Sequence, residues 1–323
     1  MHTALIRKIK DAPFTSDPFS HVLIRDFLEP SLLERITADP RVRCPAAADI
    51  AELHRSLTDA GWRVRSQAGC FTRIEDYIAS RRQGASRRIA RAVGDSSRVQ
   101  LIESAGMNYR CQLAGGTVLD EVVDVFLSRE MQDVLLEKFD IREPYKLDCG
   151  IQKYLDGYEI SPHPDMREKA LTFMLNLNTN PRSEEADHHT HFLRFKPQYE
   201  YVYSFWERCP EHQRCWVPWE WCTSHYQQRP NNSISIFKPA SDTLHAVRAR
   251  YDDLDHQRTQ LYGNYFYKGS RHSQKSSFQE IDLHASAGHA ASRATSESAG
   301  AGPVSRSARA MTAWVRDRLR WQP

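Results

Sequence analysis

A chain of 323 residues with 40% hydrophobic content can bury one large core with appendages. With 44 Lys and Arg against 41 Asp and Glu, the net charge of +3 gives no general attraction to nucleic acid. The seven scattered cysteines, the lack of an apolar run of about 18 residues and an opening without a signal-like apolar core predict free thiols in a reducing cytoplasm.

The first strand is expected over His21-Val22-Leu23-Ile24-Arg25-Asp26-Phe27-Leu28, and a helix follows from Glu29 to Ile36 with Pro30 in its first turn. Gly69 to Ile74 reads as another strand. Arg81, Arg82, Arg87, Arg88, Arg91 and Arg98 then cluster. They read as a solvated helix face and loop, and as a hint of an anionic substrate. Thr117 caps a helix with acids in its first turn, and Leu119, Val122, Val123, Phe126 and Leu127 form its apolar stripe. Ser128 caps a second helix, with Met131, Val134, Leu135 and Phe139 inward. Both are expected to buttress a sheet.

Gly157 and Pro162 punctuate the approach to His163-Pro164-Asp165. In the segment that follows, Phe173, Leu175 and Leu177 alternate with Thr172, Met174, Asn176 and Asn178, a strand with one apolar face. Ser233 to Phe237 is a further strand, and Leu244-His245-Ala246-Val247 lies just beyond it. Residues two apart on a strand point the same way, so His163 and Asp165 form a pair that His245 can complete. Two imidazoles and one carboxylate on one face of iron leave three positions open, the facial triad of non-haem Fe(II) oxygenases. His189 and His191 are rivals with the same spacing. His163 and Asp165 are preferred because they include the carboxylate. From Arg258 to Tyr267 a last strand is expected, with Arg258, Gln260, Tyr262, Asn264 and Phe266 on one face. A hairpin would bring Arg258 near the strand of His245.

At these residues the chain resembles the iron(II)/2-oxoglutarate-dependent dioxygenases, in the branch similar to prolyl 4-hydroxylases. The resemblance covers about residues 18 to 270. It implies an α+β fold with a double-stranded β-helix (jelly-roll, cupin-like) core buttressed by N-terminal helices. It also implies metal and catalytic ligands His163, Asp165 and His245, and Arg258 and Tyr154 on the distal carboxylate of 2-oxoglutarate. Arg258 lies 13 residues after His245, so Arg248 and Arg250 are alternatives to it. The cofactors implied are Fe(II), 2-oxoglutarate and O2, with ascorbate as a candidate reductant. The implied reaction hydroxylates an unactivated C–H of a small-molecule substrate and releases succinate and CO2. Asp165 argues against a halogenase of this family, which lacks a carboxylate there. No nucleic-acid partner and no transmembrane segment are expected.

Measured against that family, residues 180 to 232 are an insertion. They carry Cys209, His212, Cys215, Cys222 and His225 among several tryptophans. One reading is a lid whose tryptophans and Arg194 reach the substrate. The other is a zinc site, and with it a non-catalytic jelly-roll binding protein. The expected layout is an oxygenase domain over 1–282, an Ala/Ser/Gly-rich linker over 283–310 and a short basic amphipathic tail over 311–323.

Overall fold

Residues 2–43, 45–69, 73–82, 107–113, 116–155, 158–210, 212–248, 254–255, 257–269 and 280–282 are described by the computed structural model. In chain order they form α1 (His2–Asp11), β1 (Phe14–Thr15), β2 (His21–Ile24), α2 (Pro30–Ala38), α3 (Ile50–Asp59), β3 (Trp62–Gly69), α4 (Ile74–Arg82) and β4 (Met107–Leu113). There follow α5 (Val118–Leu127), α6 (Arg129–Lys138), β5 (Tyr145–Tyr154), β6 (Ile160–His163), β7 (Lys169–Asn176), β8 (His191–Phe195) and α7 (Tyr201–Arg208). The last are β9 (Arg214–Trp216), β10 (Cys222–Gln227), β11 (Ile234–Phe237), β12 (His245–Val247), β13 (Thr259–Tyr267) and β14 (Glu280–Asp282). All belong to one unit, Met1–Ala285. The expected linker and tail, and Arg87 to Arg98 of the arginine cluster, lie outside the described residues.

Local sequence explains the helices. Pro30 occupies the first turn of α2, and Leu32 and Ile36 bury one stripe. Thr117 and Asp120 make a reciprocal capping box at α5, and the Ser128 hydroxyl accepts from Met131 N at α6. Loss of one such cap costs about 1 kcal/mol. On α5 the stripe is Leu119, Val122, Val125 and Phe126. Leu127 is 46% exposed, because it lies one residue, about 100°, past Phe126. Of the strand expected over Gly69 to Ile74, Gly69 ends β3 and Ile74 begins α4, and residues 70–72 lie outside the described residues.

Two antiparallel sheets carry the site. The large one runs β1-β2-β11-β7-β13-β5-β4-β3 and the small one β10-β8-β12-β6. Phe173, Leu175, Leu261 and Tyr265 pack with the helices in the main core. Gly263 is needed there, since a Cβ would fall 1.9 Å from the Phe173 ring. Alternation turns Thr172, Met174 and Asn176 of β7, and Gln260, Tyr262 and Asn264 of β13, to the other face. The sheets meet through the rings of Phe19, Phe192 and Phe237, whose centroids are 4.9 to 6.0 Å apart.

The expected hairpin between His245 and Arg258 does not form. β12 lies in the small sheet and β13 in the large one, so the connection crosses between sheets. The stretch 180–232 supplies β8 and β10, half of the small sheet. No helix among the described residues is long and apolar enough to cross a membrane.

Candidate metal centre

His163 ends β6 and His245 begins β12, and the two are direct cross-strand partners. Their ring centroids are 4.3 Å apart. Asp165 follows β6 with φ of 70°, a left-handed conformation that Asp tolerates better than most residues. That turn brings its carboxylate back between the rings. Asp165 Oδ1 is 3.7 Å from His163 Nε2, and Oδ2 is 3.7 Å from His245 Nε2. Among the described residues these three are the only His, Cys, Asp or Glu group whose donor atoms could hold one metal ion, all within 4.8 Å of one another.

The hydrogen bonds orient this set. His163 Nδ1 donates to Ser161 O at 2.8 Å and His245 Nδ1 to Thr243 O at 2.9 Å. A carbonyl only accepts, so each ring carries its proton on Nδ1 and presents the Nε2 lone pair to its neighbours. Burial, with the nearby His163, pushes the His245 pKa down to about 3 and keeps that imidazole neutral. Burial alone would raise the pKa of Asp165. The Lys169 ammonium is the largest opposing influence, and the carboxyl is held well below its ordinary range. Lys169 Nζ donates to Oδ1 at 2.5 Å and Thr172 Oγ1 to Oδ2 at 2.9 Å. Two imidazole nitrogens and one oriented carboxylate facing one point fit a divalent metal of the Fe(II) type. Neither Lys169 nor Thr172 was singled out in the sequence. Thr172 could have been found as an inward hydroxyl on the strand after His-x-Asp.

Arg258 is fully buried. Its guanidinium donates to His188 O at 2.6 Å and to Thr190 Oγ1 at 2.9 Å, and it lies 4.2 Å from the Tyr154 ring centroid. Its Nε has no acceptor. Among the described residues no carboxylate lies within ion-pair distance of it. The Tyr154 hydroxyl donates to Gln260 Oε1 at 3.0 Å. Of the alternatives, Arg248 is exposed and sits over Trp219 at 4.5 Å, and Arg250 lies outside the described residues.

The rival histidines are placed elsewhere. His189 Nε2 donates to Ser183 O at 2.6 Å, and His191 sits between Ser224 Oγ, Gln227 and Asp187. The expected Cys/His zinc cluster is not assembled among the described residues. Cys215 and Cys222 pack in an apolar cluster with Trp206 and Val217. Arg194 is tied to Pro18 O and Asp17 rather than to the site. One tryptophan of the stretch does reach the centre. The Trp216 ring lies 4.8 Å from that of His163.

No protein-family model matches the chain, and no curated protein matches it. Among solved structures it is similar to a prolyl-4-hydroxylase from Pseudomonas putida, with 12% identity and a TM-score of 0.40 over 83% of this chain and 100% of that one. It is also similar to an oxidoreductase of the 2OG-Fe(II) oxygenase family from Burkholderia pseudomallei, with 12% identity and a TM-score of 0.28 over 53% and 72%. A third is the non-heme alpha ketoglutarate dependent epimerase SnoN from nogalamycin biosynthesis, with 12% identity and a TM-score of 0.27 over 87% and 93%.

Proposed function

We propose that this chain is a non-haem Fe(II)- and 2-oxoglutarate-dependent dioxygenase on a double-stranded β-helix, hydroxylating an unactivated C–H of a small molecule. The observation that carries this is the convergence of His163, Asp165 and His245 with both histidines protonated on Nδ1. Bound there, Fe(II) with 2-oxoglutarate supplies the oxidising power of O2, leaving succinate and CO2 as by-products.

The residues have separate tasks in this reading. His163 and His245 offer Nε2, and Asp165 offers a carboxylate oxygen. Lys169 and Thr172 fix that carboxylate. Arg258 takes the distal carboxylate of 2-oxoglutarate, the anion its buried charge lacks. Tyr154 supports the guanidinium with its ring, and Gln260 fixes the Tyr154 hydroxyl. Phe237 and Trp216 wall the imidazoles and exclude water. The oxygenase domain runs over 1–282, with 180–232 contributing both sheet and the Trp216 cover.

The test is succinate formation by anaerobically reconstituted chain given Fe(II), 2-oxoglutarate and then O2, beside Asp165→Ala. The expected result is succinate from the wild type and none from the variant. No succinate, and no 2-oxoglutarate-dependent absorbance band on anaerobic Fe(II) addition, would sink the reading.

A further inference from the structure

A second polar group lies on the inner face of the large sheet. Thr172, Asn264 and Asp148 are successive cross-strand partners on β7, β13 and β5, so one level of the sheet joins this group to the support of Asp165. On β4, Arg110 Nη1 donates to Asp148 Oδ2 at 3.1 Å, and its guanidinium lies 5.0 Å from the Tyr262 ring centroid. The Tyr262 hydroxyl donates to Asp148 Oδ1 at 3.1 Å. The side chains of Arg110 and Asp148 are 31% and 26% exposed, within reach of a solute.

A backbone irregularity adds a second guanidinium. The β3–β4 register slips between Val64 and Ser66, which makes Arg65 the extra residue of a bulge. Bulges re-aim side chains. Arg65 Nη1 reaches Cys149 O on β5 at 3.2 Å. It passes 3.4 Å from where a Cβ of Gly150 would stand, beside the Tyr262 ring. A side chain at position 150 would crowd that guanidinium. Two arginines thus converge where one carboxylate stands. Among the described residues Arg65 has no carboxylate within ion-pair distance, and Arg110 Nε is buried without an acceptor. The Arg110–Asp148 pair alone would be an ordinary ion pair. The bulge that delivers Arg65 is not needed for it. Guanidinium forks match carboxylate and phosphate oxygens.

Building on the oxygenase reading, we propose that Arg65 and Arg110 form an anion subsite for the substrate's carboxylate or phosphate. Two strand spacings separate Thr172 from Asp148, which sets the acid group roughly 10 Å from the metal end of the sheet. The substrate class is then a small-molecule acid whose oxidised carbon lies about that far from its charge.

The probes are phenyl phosphate and phenylacetate, each beside an uncharged counterpart, phenol and phenylacetamide. They are titrated against the full chain by saturation-transfer NMR. Both anions are expected to bind and the neutral compounds not. Arg65→Gln, which removes an exposed guanidinium and one backbone hydrogen bond, is expected to weaken the anions at least tenfold, with Arg65→Lys intermediate. Equal binding of neutral and charged probes, no anion binding, or unchanged affinity in Arg65→Gln would overturn the subsite. With Mn(II) at the metal centre, bound phenyl phosphate should broaden in the wild type but not in Asp165→Ala. Anion binding without that broadening places the anion away from the centre and also overturns the proposal. The anaerobic Fe(II)/2-oxoglutarate band of the wild type is read alongside. An absent band counts against the oxygenase reading itself. A present band with unchanged anion affinity counts against the subsite alone.

Discussion

Two histidine clusters lie inside this protein, and among the described residues only one brings its donor atoms together as a metal ion would require. His163 and His245 give their Nδ1 protons to backbone carbonyls and aim Nε2 at one carboxylate. His189 and His191 have the same spacing as His163 and Asp165, yet their nitrogens do not converge. His189 gives its Nε2 proton to Ser183 O and leaves Nδ1 buried without a hydrogen-bond partner, and His191 sits on Ser224 and the Asp187–Gln227 pair. Convergence of unused lone pairs, rather than spacing or burial, separates the two. Charge separates them further. Lys169 beside Asp165 stabilises a carboxylate ligand, whereas burial and Arg258 push the His189 pKa down to about 2.

The contrast is broken most severely at Asp165. Asp165→Ala removes the one anionic ligand, and anaerobic titration should find neither Fe(II) binding nor the 2-oxoglutarate band. Next in size is Arg258→Met. Charged hydrogen bonds contribute about 1.5–3 kcal/mol, so 2-oxoglutarate should bind roughly 10–100-fold more weakly. Metal affinity should hold, and melting should show little loss, because the arginine's buried charge has no carboxylate counterpart. Thr172→Val keeps shape and deletes one support of Asp165. Such supporting contacts tune metal affinity by about tenfold or more, which Mn(II) titration would read.

His191→Gln is expected to leave metal affinity unchanged, and any large loss would merge the two clusters. It should instead alter the acid limb of stability. Burial lowers the His191 pKa from 6.5 to about 4, against the opposing pull of Asp187. The unfolded chain therefore takes up this proton first. The neutral ring's contribution is complete above pH 6.5 and is lost as pH falls toward 4. Melting temperature against pH should be flatter in that window for the variant.

Much of the local structure was legible from the chain itself. Thr117 and Ser128 as caps, Pro30 at a helix start, and the alternation of Phe173, Leu175 and Leu177 follow from short-range rules of hydrogen bonding and periodicity. His163 and Asp165 were legible as a pair by their spacing, but Asp165 lies past β6 with φ of 70°, so a turn rather than extended chain brings its carboxylate to His163. What pairs with what was decided by the tertiary structure. His245 became the partner of His163 through strand register. The connection to β13 crossed to the other sheet instead of forming a hairpin. Arg258 met Thr190 and Tyr154, and a bulge turned Arg65 toward Gly150. These contacts join residues roughly 70 to 100 positions apart, and their geometry depends on how two sheets pack, which no local pattern encodes.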